Sequence, residues 1–235
     1  MAETVIPHPC VFADKKRLEL IKGYRVHEQR TPSKPLLLLT PSQTIGPFFN
    51  LSLIRDVDDD IARKEPGGAR AQGTPIVVTG RVVDEQGKPV RKALIEVWQA
   101  NKWGKYEHPD DITDAPLDPN FKGWGRMLTD SEGRYRFRSI KPGPYPNPGY
   151  DNWMRPPHIH FSIFAAGVMQ RLITQLYFPD EPLNDIDPIL NGVEDLNARS
   201  ALIARQLPEE PDGALGFQFD IVLRGKAETA FFVDH

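Results

Sequence analysis

His158 and His160 stand one residue apart in "MRPPHIHF", residues 154–161, behind Pro156 and Pro157 and with Arg155 three positions ahead of the first imidazole. Side chains on a strand repeat with period two, so both histidines project to one face and Ile159 to the other. That is the geometry of two neighbouring ligands on one metal ion. It is equally that of two hydrogen-bonded histidines in a polar interior, and two imidazoles do not complete a metal site. The usual complements are missing: no third His lies in a strand-like run, no HExxH occurs, and no carboxylate stands at HxD or HxE spacing from His158 or His160. Zinc-hydrolase and ferrous facial-triad readings therefore lose support.

The nearby candidate donors are phenols. Tyr145 precedes His158 by thirteen residues in the proline-rich loop "KPGPYPNPGYDNW", and Tyr106 lies just beyond a strand-like run in "WQANKWGKYEHP". Phenolate is a hard anionic donor, and two phenolates with two neutral imidazoles leave a trivalent ion little residual charge, which suits Fe(III) better than Zn(II) or Cu(I). A free tyrosine titrates at about 10, so ionisation at neutral pH needs a strongly Lewis-acidic cation. Taken singly, each tyrosine also reads as a packing residue with its hydroxyl capped by backbone.

The elements that must hold these residues are short β-branched or alternating runs: 76–84, 93–99, 134–140, 158–164, 172–178 and 217–224. Turn signals separate them, with Asp for local capping and Gly for positive φ in "DEQGKP" (84–89) and "DSEG" (130–133). No βαβ rhythm appears, and the pattern predicts an all-β chain with an antiparallel β-sandwich core. The stretch 193–207, "VEDLNARSALIARQL", predicts the one short helix, near the C-terminal part. Residues 1–45 mix Pro, Lys and Arg without periodicity and read as an extended N-terminal arm contacting a partner subunit, leaving 46–235 as the catalytic domain.

Composition narrows the function. A net charge of -3 across 235 residues, without a basic block, gives no nucleic-acid footprint. The single cysteine, Cys10, excludes an internal disulfide framework and suits a reducing compartment. The apolar run 36–39 is too short for a signal sequence or a membrane span, so a cytoplasmic protein is expected. Proline, at 23 residues, outnumbers glycine at 18, which stiffens the loops.

Longer motifs carry a resemblance. "GRVVDEQGKPV", "IEVWQANKWGKY", "APLDPNF", "GRMLTDSEGRYRFRSIKPGPYP", "WMRPPHIHF", "LITQLYF" and "FDIVLRG" resemble the intradiol ring-cleaving dioxygenases over about residues 20 to 225. The resemblance implies a β-sandwich and a mononuclear non-haem Fe(III) held by Tyr106, Tyr145, His158 and His160. It further implies that Arg155 is the cation beside a bound catecholate, that Trp98 and Gln175 line the pocket, and that Tyr145 leaves the metal to accept a substrate proton.

Within the family the pattern is similar to the β chains of the protocatechuate-cleaving branch. This implies O2-dependent opening of protocatechuate to 3-carboxy-cis,cis-muconate in aromatic catabolism, the β-ketoadipate pathway. It also implies a homologous α subunit, an α–β protomer and a higher oligomer. "GYRVHEQRTP" places Tyr24 and Arg30 near the substrate carboxylate. Asn147 departs from the pattern, which has Trp there, and points to altered ring contacts. His108, close to Tyr106, is expected to be no ligand. Rival readings are an intradiol enzyme for hydroxyquinol or another catechol, and a non-catalytic ligand-binding sandwich. For Arg155 the rival is a salt bridge to Asp151 that fixes the loop.

Overall fold

Alternation along β7, His158–Phe164, sets the architecture: Ile159, Phe161 and Ile163 are fully buried on one face, which leaves His158 and His160 on the other. The computed structural model describes residues 44–46, 49, 53–54, 58–147 and 153–232. Two sheets enclose the core. In the first, β1 (Pro75–Val83) pairs antiparallel with β4 (Arg134–Ile140) on one side. On its other side it meets β10 (Leu215–Gln218) and then β11 (Ile221–Val222), and β9 (Arg205–Leu207) follows beyond β10. The second sheet has the order β3 (Trp124–Leu128), β2 (Leu94–Trp98), β7, β8 (Leu172–Tyr177), antiparallel throughout.

Phe161 occupies the centre of the sandwich, its ring 6.0 Å from Tyr135, 6.0 Å from Phe137 and 5.2 Å from Phe219. Each such fully buried large side chain contributes about 1.5–3 kcal/mol of transfer free energy. The sandwich expected from sequence is therefore present, with one departure: β1 runs parallel to β10 and β11. Gly80 permits the junction, because a Cβ there would collide with the carbonyl oxygen of Phe219, which accepts from the Tyr135 hydroxyl.

Both expected turns form as their chemistry requires. Asp84 Oδ1 accepts from the N–H groups of Gln86 and Lys88, and Asp130 Oδ1 from those of Glu132 and Arg134, while Gly87 and Gly133 take φ of 77° and 72°. The helix is shorter than its sequence window. Asp195 caps Leu196–Ala201, but Tyr177 then captures the chain through hydrogen bonds to Leu202 and Ala204, and 205–207 joins the first sheet as β9. Sheet pairing outweighs helix propensity there. A further one-turn helix, Pro188–Asn191, is capped by Asp187. Among the described residues no helix is long and apolar enough to cross a membrane.

Two excursions, one from each sheet, bring tyrosines to the face of β7 that bears His158. One follows β2 and carries Tyr106. The other follows β4 and contains the ribbon of β5 (Tyr145–Pro146) and β6 (Met154–Arg155).

Candidate metal centre

Strand pairing fixes the histidine side. In register, His160 lies opposite Trp98 of β2 and Gln175 of β8, and His158 lies opposite Tyr177. The Trp98 ring stacks on His160 with centroids 4.9 Å apart and planes within 2°. His158 is further fixed by its Nδ1–H, which donates to the Pro156 carbonyl at 2.7 Å, so its Nε2 carries a lone pair.

The tyrosines are brought in by loops that interlock. Asn101 Oδ1 accepts from the N–H groups of Trp103 and Lys105, and Asp111 Oδ2 accepts from that of Tyr106 at 2.8 Å. The Tyr145 loop is pinned to this turn by the Gly143 N–H, which donates to Asn101 O at 2.9 Å. Glycine is required on both sides of the contact. A Cβ at Gly104, whose φ is 79°, would strike the Pro144 carbonyl, and one at Gly143 would strike that of Lys102. Each glycine precedes its tyrosine by two residues, in "GKY" and "GPY".

Four donor atoms meet as a result. Tyr106 OH lies 3.4 Å from Tyr145 OH, Tyr145 OH lies 3.0 Å from His158 Nε2, and His158 Nε2 lies 3.1 Å from His160 Nε2. Bonds of about 2.1 Å to a first-row metal place adjacent ligands about 3 Å apart, so the spacing fits one ion. Among the described residues no group of three or more His, Cys, Asp or Glu could hold a metal, so an ion here would have to draw on the phenols.

Electrostatics fit the same use. Burial, then the Arg155 cation and His160, hold His158 well below the usual imidazole value, and burial with Arg155 lowers His160 to about 3. Both imidazoles are neutral at physiological pH and free to ligate. Burial, then the neighbouring Tyr145, pushes Tyr106 well above its ordinary value. Without a cation it stays a phenol, and the donor set is one that a strongly charged ion would complete.

Arg155, 4% exposed, sits behind the histidines. Its Nη2 donates to Gln175 Oε1 at 2.8 Å, to Tyr177 OH at 2.9 Å and to Asp187 Oδ2 at 3.2 Å. Burial works against its charge, but Tyr177 and Asp187 outweigh that and raise its pKa. Gln175, expected to line the pocket, thus has its side-chain oxygen engaged with Arg155 and Tyr177. Sequence reasoning missed Asp187, Tyr177, Asp111 and the two glycines. His108 is a surface residue, with a side chain 63% exposed. Tyr24, Arg30 and Asp151 lie outside the described residues.

Comparison with known proteins identifies the chain's relatives. Residues 45–225 match the family described as Dioxygenase. The chain is 48% identical over 210 residues to the protocatechuate 3,4-dioxygenase beta chain of Burkholderia cepacia, covering 88% of this chain and 89% of that one. It is 35% identical over 204 residues to the protocatechuate 3,4-dioxygenase alpha chain of Pseudomonas putida, covering 84% and 97%. Among solved structures it resembles the dioxygenase domain of a dioxygenase carbohydrate-binding protein fusion from Streptomyces sp. SirexAA-E, with a TM-score of 0.52, 28% identity, and coverage of 81% and 99%. A β-sandwich of this design, matched by sequence over most of its length, belongs to the intradiol ring-cleaving dioxygenase family.

Proposed function

We propose that this chain is the iron-bearing, β-type subunit of an intradiol dioxygenase that opens protocatechuate with O2 to 3-carboxy-cis,cis-muconate. The observation that carries the reading is the convergence of Tyr106, Tyr145, His158 and His160 on one point. The likeness to the Burkholderia cepacia beta chain favours protocatechuate over other catechols. The same Burkholderia and Pseudomonas relatives, a beta and an alpha chain, support a homologous α chain as partner.

Bound Fe(III) would supply a Lewis acid that a catechol can chelate and through which the ring becomes reactive toward O2. The chain's own residues do the rest. Trp98, flat against His160, fixes one imidazole, and the Pro156 carbonyl fixes the other. The Tyr145 oxygen is placed to take a proton from a catechol hydroxyl, a transfer that needs a phenolate at that position. Arg155 supplies a fixed cation in a water-poor setting, where it stabilises negative charge developing on substrate oxygens more strongly than it would in bulk water. The bond between the two hydroxylated carbons breaks and one atom of O2 goes to each, so both become carboxylates beside the one protocatechuate already carries.

Oxygen uptake with protocatechuate, catechol and hydroxyquinol, measured beside iron content, tests this. Uptake fastest with protocatechuate, yielding the carboxymuconate in a one-to-one ratio to O2, is expected. Preference for another catechol would move the substrate and keep the chemistry. Failure with all three in an iron-loaded protein would support the non-catalytic sandwich.

A further inference from the structure

Among the described residues, the side-chain hydrogen bonds of Arg155 all use one nitrogen. Nη2 has two hydrogens spread over the three acceptors Gln175, Tyr177 and Asp187, while Nε is buried with no acceptor among the described residues. A buried cationic N–H without a partner is costly and rare enough to need a reason.

Gln175 and Tyr177 are already bonded to each other at 2.8 Å, and burial pushes the Tyr177 phenol up so that it stays neutral. Asp187, fully buried, is the carboxylate paired with Arg155 among the described residues. It cannot swing to follow the guanidinium, because its Oδ1 accepts from the Ile189 N–H at 3.1 Å and caps the turn Pro188–Asn191, whose first residue is a proline. The anchor is rigid and lies on an element remote in sequence from the histidine strand.

We propose that Asp187 is a positioning residue for the reaction: it holds the guanidinium of Arg155 by one corner so that Nε stays available to an oxygen anion developing on the substrate. The inference rests on the role given to Arg155 above and extends it to a residue that touches neither substrate nor donor set.

Asp187→Asn separates the functions of this side chain. Asparagine keeps the helix cap and the volume but removes the charge. In the full iron-loaded protein, prepared with its partner chain, D187N is expected to lower kcat by about 10- to 100-fold, with KM and the anaerobic affinity for protocatechuate within about twofold. Asp187→Glu, which keeps the charge, is expected to recover part of the loss. Asp195→Ala, which removes the cap of Leu196–Ala201 away from Arg155, is expected to leave kcat unchanged.

The double variant decides whether the effect runs through Arg155. In an Arg155→Gln background, D187N is expected to cost nothing further in kcat, and in metal-free protein its effect on the urea midpoint is expected to shrink in the same way. A D187N enzyme within about twofold of the parent in kcat, or one that loses as much in the R155Q background, overturns the inference while the proposed function stands. A parent that consumes no O2 with any catechol overturns both.

Discussion

His158 and His160 present their Nε2 atoms to each other at 3.1 Å, and a proton on His158 Nδ1 is committed to the Pro156 carbonyl. Two neutral imidazoles so arranged, His158 buried and His160 half-buried, gain most from a shared cation. Replacing either by Ala is expected to reduce iron affinity by more than the about 10- to 100-fold typical of losing an outer partner. Metal analysis after purification, beside circular dichroism to verify the fold, checks this.

Trp98 contributes through its face. Stacked on His160 at 4.9 Å, it limits rotation of that ring. Trp98→Ala is expected to cost about 0.5–1.5 kcal/mol in stacking beyond lost area and to weaken iron binding by about tenfold, whereas Trp98→Phe should retain most of both. Competition with an iron chelator gives the comparison.

Gly104 and Gly143 let the two tyrosine loops touch. Gly104→Ala combines a clash with the Pro144 carbonyl and strain at positive φ, and a loss of about 2–4 kcal/mol is expected. Because the clash parts Tyr106 from Tyr145, the colour of the iron-loaded protein should weaken with the denaturation midpoint. Gly87→Ala, at positive φ in open space, provides the control: a stability cost from strain alone, with colour unchanged.

Asp111 makes the Tyr106 loop sensitive to acid. Burial raises its pKa, but hydrogen bonds from Thr113, the Tyr106 N–H and Lys105 outweigh it and bring the carboxyl down to about 2. Since the folded value lies below the unfolded one of about 3.9, the stabilisation is present above pH about 4 and disappears as pH falls through about 2. The Asp111 side chain is 11% exposed, and after allowance for screening Asp111→Asn should cost about 1–2 kcal/mol at pH 7. Urea unfolding of parent and variant should converge between pH 4 and 2.

Local chemistry is what the sequence expressed most clearly. The period-two alternation in "HIHFSIF" and the Asp and Gly of the two turns are decided by neighbouring residues, and each takes the structure it predicts. The helix window 193–207 is shortened because Tyr177, distant in sequence, donates its N–H to the Leu202 carbonyl and accepts from the Ala204 N–H. The strand 124–128 escaped notice because its outer face mixes Trp124 and Arg126 and its inner face begins with a glycine. The two histidines were legible as a pair, but Asp187 was not: its meaning depends on a hydrogen bond to Arg155 across 32 residues of chain. Gly104 and Gly143 could have been read from the repeated Gly-x-Tyr, a signal that acquires sense only when the loops are known to meet.

The most direct measurement is the visible spectrum of the iron-loaded protein, with its partner chain, titrated with protocatechuate without oxygen and then exposed to air. A red-brown protein is expected from tyrosinate-to-Fe(III) charge transfer, with a band that shifts on chelation, decays in air, and weakens in Tyr106→Phe and Tyr145→Phe. An iron-containing protein without colour, or with a colour that both tyrosine variants leave unchanged, would contradict ligation by Tyr106 and Tyr145.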